Sequence, residues 1–203
     1  MKKCVKAFFI IVAVGIVGLI IWQFSKFTFE NESTIFSNGN ILSVPLNDLK
    51  SAFTIHYESE PDVSEKSLLW FSSDWQFFGK NIESATIEYN GDKATSIYFT
   101  FPEEHYESPS DDAIPIIDSM LEWFQKIEKS LNVKGTVYAD GSRWDDYSYN
   151  FSFYGQANEA KKLIMCLNRI SGQSKLEWKH GNKYISVLFF VDRCKVEAGV
   201  ALN

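Results

Sequence analysis

The sequence is short of the side chains that catalysis most often uses. It holds only three histidines and three cysteines in 203 residues. His56, His105 and His180 are scattered, and none stands in a metal-binding spacing such as H-E-x-x-H. No G-x-S-x-G turn exposes a nucleophilic serine, and no glycine-rich loop is present to cradle phosphate. The acidic stretch at Asp140-Gly141-Ser142-Arg143-Trp144-Asp145-Asp146 lacks the spacing and terminal glutamate of an EF-hand calcium loop. No cofactor and no metal is expected. Basic charge is scarce as well. Four of the 20 basic residues are Lys2, Lys3, Lys6 and Lys26, so 16 remain beyond them against all 26 acidic residues, a net of −10. That excludes the basic footprint a nucleic-acid binder needs.

What is present begins with an unbroken apolar run, Ala7 to Trp22, bracketed by lysines. As a helix it covers about 24 Å, slightly short of a hydrocarbon core of about 30 Å. Lys6 and Lys26 can snorkel at its ends. The residues that follow offer no A-x-A-like cleavage pattern, so an uncleaved anchor is expected over a removed signal peptide. The lysine bias predicts a single pass with the N-terminus cytoplasmic and the rest periplasmic or extracellular, at the cell (inner) membrane. The expected division is a membrane anchor over 1–27, a connector over 28–50 and an extracytoplasmic domain over 51–203.

The domain reads as α+β. Phe53, Ile55 and Tyr57 alternate with polar residues and predict a strand, after a short helix following Pro45. Residues 67–72 read as a further strand. Strands at 82–89 and 94–101 flank Asn90-Gly91-Asp92, a hairpin signal. A helix is predicted over 111–131, because Ile117, Met120, Leu121, Phe124, Ile127 and Leu131 recur at spacings of three and four. A strand–turn–strand over 133–154 and a helix over 158–171 repeat the unit. A last hairpin turns at His180-Gly181-Asn182. The tail from Lys195 shows no period. The expected fold is therefore an antiparallel ββαββαββ-like sheet with two helices on one face, preceded by one transmembrane helix.

Function is expected to lie in binding. The charge is uneven: residues 27–160 hold 8 basic and 23 acidic residues, whereas 161–203 hold 8 and 3. The two halves can attract one another within the fold, or the acidic part can meet a basic protein. Two exposed connections are the candidate contact sites. One is the hairpin with Arg143, Trp144, Asp145 and Asp146, since Arg and Trp are enriched in hot spots. The other is the acidic loop with Glu103, Glu104 and Glu107. Cys166 and Cys194 are a candidate disulfide, closing a loop of about 28 residues. The expected function is that of a membrane-anchored protein-binding domain of accessory or immunity type, without catalysis. The alternative is an anchored envelope hydrolase that pairs a histidine with the acidic-loop carboxylates. The expected partners are the membrane and a protein, with no nucleic acid.

Overall fold

The computed structural model describes residues 32–37, 40–72, 74–107, 113–139, 142–143, 174–190 and 192–202. Its frame is a ten-stranded sheet. The strands are β1 (Asp62–Val63), β2 (Ser67–Phe71), β5 (Ser84–Asn90), β6 (Lys93–Thr100), β7 (Glu104–His105), β8 (Thr136–Ala139), β9 (Ser142–Arg143), β10 (Ser174–His180), β11 (Lys183–Phe189) and β12 (Arg193–Ala201). They lie in the order β1-β2-β5-β6-β12-β11-β10-β8-β9, with β7 also on β12. A separate small hairpin joins β3 (Gln76–Phe77) to β4 (Lys80–Asn81). Every pairing among the described residues is antiparallel.

Two of the hairpins follow from their turns. Gly91 and Gly181 take φ of 65° and 59°, a conformation glycine adopts without steric cost. They join β5 to β6 and β10 to β11, as the turn residues predict. β12 was not foreseen. Cys194, Val196, Ala198 and Val200 alternate inward along it, and it runs between β6 and β11 near the middle of the sheet.

Among the described residues three α-helices cover one face. α1 is Glu32–Ser37, α2 is Leu46–Tyr57 and α3 is Ala113–Leu131. α3 matches its expected span to within two residues at its start, and it buries Ile117, Met120, Phe124 and Ile127. α2 corrects the strand expected at 53–57. Pro45 caps its start, and Leu49, Ala52 and Phe53 fall on one buried stripe at helical spacing. Ile55, which the alternation placed inside, is 77% exposed. Residues 32–50, within the expected connector, bring Ile35, Phe36, Ile41 and Leu49 into the core. Ring contacts tie the helices to the sheet: Phe36 stacks on Trp178 at 6.1 Å, Phe53 lies 5.1 Å from Trp70 and Trp123 meets Phe101 at 5.3 Å. Glu128 of α3 accepts from the Trp178 indole at 3.2 Å and from the Gly135 amide at 2.8 Å.

The expected fold class is corrected on two counts. Among the described residues the chain is mostly antiparallel sheet with few helices, and β1, β2, β7 and β12 depart from the expected ββαββαββ order. The strand expected at 147–154 and the helix expected at 158–171 lie outside the described residues. The transmembrane helix is the second correction. Among the described residues no helix is long and apolar enough to cross a membrane, and the run Ala7 to Trp22 lies outside them. The expected single pass, the membrane as partner and the inner-membrane location therefore find no spanning helix among the described residues to rest on.

Candidate functional site

Successive side chains on a strand point to opposite faces, so a sheet with helices on one side turns a second face away from them. Here that second, outer face is built from two long cross-strand rows. One row runs Leu69, Thr86, Tyr98, Gly199, Tyr184, Lys179, Thr136. The next runs Phe71, Ser84, Thr100, Glu197, Ser186, Glu177, Tyr138 and ends opposite Arg143. Hydroxyls and charges dominate both rows, whereas the same strands send Trp70, Ile97, Phe99 and Trp178 to the helices.

The polar side chains are joined to one another. The Ser84 and Thr100 hydroxyls share a hydrogen bond at 2.6 Å. Ser96 donates to Glu88 at 2.7 Å, and Tyr184 donates to Glu197 at 2.6 Å. Gly199 separates Tyr98 from Tyr184. A Cβ there would stand 2.4 Å from the Ile97 carbonyl and 2.7 Å from the Tyr98 Cβ, so only glycine lets β6 approach so closely. Burial raises the Tyr184 phenol pKa, and its bond to Glu197 and the charges of Glu197 and Glu88 add to that. Burial also raises that of Tyr98; its bond with Thr86 works the other way, and Glu88 and Glu197 push it further up. Two shallow hollows of about 280 and 290 Å³ open on this face. Thr100, Ser186, Leu188 and Glu197 line one, and Lys179, Lys183 and Tyr184 the other.

The acidic loop is placed at the end of the same sheet and is largely neutralised from within. Lys195 bonds Glu103 at 2.6 Å and Arg193 lies 3.2 Å from it. The Lys195 hydrogen bond is the main cause that holds the Glu103 carboxyl below its usual pKa. Lys80 bonds Glu104 at 2.5 Å. Glu107 is exposed. The acidic and basic parts of the chain thus meet inside the fold. Arg143 pairs with Tyr138 at the sheet edge, while Trp144, Asp145 and Asp146 lie outside the described residues.

The histidines stand on three separate elements. His56, in the last turn of α2, is half-buried and packs edge-on against Trp75 at 4.3 Å. His105 is exposed, with Nε2 4.0 Å from Glu103. His180 places Nδ1 2.9 Å from the Lys134 carbonyl. Among the described residues no group of His, Cys, Asp and Glu side chains is arranged to hold a metal. Cys194 is a free thiol, fully buried, and burial is the main cause that pushes its pKa up to about 11. Cys166 lies outside the described residues.

The outer-face tyrosines escaped the sequence reading. Their only signal was the polar phase of two strands, Ser96-x-Tyr98-x-Thr100 and Tyr184-x-Ser186, and β12 between them was not recognised. Comparison with known proteins finds no matching family model, no similar curated protein and no similar solved structure.

Proposed function

We propose that this domain acts by binding another protein through the outer face of its sheet, and that it catalyses nothing. The observation that carries this reading is the face itself. It spans seven strands, β2 to β8, and bears Tyr98, Tyr138 and Tyr184 among hydroxyls and carboxylates. Tyrosine is enriched at protein interfaces because it offers rigid apolar area with a polar tip. The hairpin at Arg143 extends one row of that face, which favours it as a contact site over the acidic loop. Glu103 and Glu104 already hold lysine and arginine partners, and Glu107 is the exposed carboxylate with no ion pair among the loop's described residues.

The test uses the immobilised full-length chain and an extract of the cells that make it. Captured proteins are identified by mass spectrometry. Ser186→Arg places a long side chain at the centre of the face and should abolish capture of any true partner. Ile55→Arg, on the exposed side of α2, should leave capture intact. Capture indifferent to Ser186→Arg overturns the assignment of the face. A hydrolytic turnover lost on His105→Ala overturns the non-catalytic reading.

A further inference from the structure

Three times the described chain seats one of its own cations between an aromatic ring and a carboxylate. The Lys179 ammonium lies 5.9 Å over the Tyr138 ring and bonds Glu177 at 2.7 Å. Lys80 lies 5.8 Å over Trp123 and bonds Glu104 at 2.5 Å. The Arg193 guanidinium lies 5.0 Å over Phe190, with Nε 3.2 Å from Glu103. The combination is physically sound, because the ring face and the carboxylate both attract positive charge.

A fourth set of the same parts stands at the centre of the outer face. Tyr98 and Tyr184 share a row, with Gly199 between them. Glu88, opposite Ser96, and Glu197, opposite Thr100, stand two positions to either side of Tyr98 in the register. Among the described residues no cation is supplied here. Among the described residues the ion pairs include neither Glu88 nor Glu197, and the recorded bonds of these two come from neutral hydroxyls, Ser96 and Tyr184. Lys179, opposite Tyr184 in the register, is committed to Glu177. Lys183 lines the hollow beside Tyr184, yet no ion pair joins it to either glutamate. By contrast Glu177, on the same face, is bonded by Lys175 at 2.6 Å as well as by Lys179.

We infer that Tyr98, Tyr184, Glu88 and Glu197 form a seat for a lysine or arginine side chain presented by a basic protein partner. This rests on the protein-binding reading and names the chemistry of the partner. Two carboxylates without a cation, beside two phenols, are complementary to a positive side chain and repel an acidic surface. The attraction is electrostatic at a partly exposed site, so it weakens as salt rises.

The probe is fluorescently labelled deca-lysine, titrated against the full-length chain at low salt, with deca-glutamate as the opposite charge. Binding of deca-lysine and none of deca-glutamate is expected. Glu88→Gln/Glu197→Gln should weaken deca-lysine at least tenfold. Glu58→Gln/Glu60→Gln removes the same charge from the exposed end of α2 and the loop after it, and should change binding less than twofold. Circular dichroism checks that each variant folds. If the double variant does not, Glu88→Gln alone, at an exposed position, should still weaken binding at least threefold. Equal binding by the wild type and the Glu88/Glu197 variant overturns the inference, as does an equal loss in the Glu58/Glu60 control. The two readings fail separately. Protein capture that Ser186→Arg abolishes, with deca-lysine indifferent to Glu88 and Glu197, defeats the cation seat and leaves the binding face standing. The reverse pattern defeats the protein partner and leaves the seat.

Discussion

The inner and outer faces of the sheet are made by the same strands, yet they are different materials. On β6 the inward residues Ile97 and Phe99 are fully buried, while Ser96, Tyr98 and Thr100 between them carry hydroxyls. On β10 the inward Trp178 is fully buried, while Glu177 and Lys179 beside it form an ion pair. The inward face meets three helices through large rings. The outward face meets its own neighbours through hydrogen bonds and ion pairs. Stability should therefore depend chiefly on one set of alternate residues, and binding on the other.

Trp178→Ala should test that division most severely. The indole is fully buried, stacks on Phe36 and donates to Glu128. Its loss should cost about 3–5 kcal/mol in urea unfolding. A cost under about 1 kcal/mol would mean that the inner face does not carry the fold. Gly199→Ala comes next, because it acts on the backbone that both faces share. The added Cβ meets the Ile97 carbonyl and Tyr98 at 2.4 and 2.7 Å, so the strands must part. A loss of about 1–3 kcal/mol is expected, together with weaker deca-lysine binding as Tyr98 moves. Unchanged stability would show that β6 and β12 are not held so closely.

Tyr106→Phe probes the end of the sheet. Its single hydroxyl proton is shared between the Phe190 carbonyl and, at 2.9 Å, that of Arg193, closing the turn between β11 and β12. Burial is the largest cause that pushes its pKa up to about 12, so it stays a neutral donor at any physiological pH. Losing the donor should cost about 1–2 kcal/mol in thermal or urea unfolding. No loss would show that the Phe190 carbonyl finds water as good a partner, the Arg193 carbonyl already accepting from the Phe190 amide at 2.7 Å.

The contrast between the faces was only partly readable from the sequence. Local signals were legible. Glycine turns at 91 and 181 and the three-and-four spacing of α3 report structure from neighbouring residues alone. Phe53, Ile55 and Tyr57 misled because a period of two over five residues also fits a helix edge. The longer stripe of Leu49, Ala52 and Phe53 and the cap at Pro45 decided for helix. β12 was missed because its inward run of Val196, Ala198 and Val200 is short and broken by the buried Gly199, and because its partners are remote: Val200 faces Ile97. The binding face was hidden for the same reason. Tyr98 and Tyr184 become neighbours only when a strand from the C-terminal tail lies between them. The acidic loop was legible as charge, but its neutralisation by Lys80, Arg193 and Lys195 is a property of the fold.

The smallest expected effect sharpens the outer face and concerns pH. Glu177 lies between Lys175 and Lys179 on one strand, with Tyr138 opposite. Burial alone would raise its pKa, but the hydrogen bonds and charges of the two lysines outweigh that and hold it below the usual 4.5. A carboxyl whose pKa is lower folded than unfolded binds fewer protons in the folded state, so it stabilises the fold above its unfolded pKa. That contribution fades as pH falls from about 4.5 through the depressed folded value. Glu177→Gln removes the titration. The wild type should melt slightly higher than the variant at pH 7, and the gap should narrow as the pH falls through the carboxylate's titration. Melting curves for both proteins at pH 7, 4.5 and 3 measure it. A gap that persists undiminished at pH 3 would mean that the glutamate acts through packing, as inner-face residues do, and the division between the two faces would fail at that position.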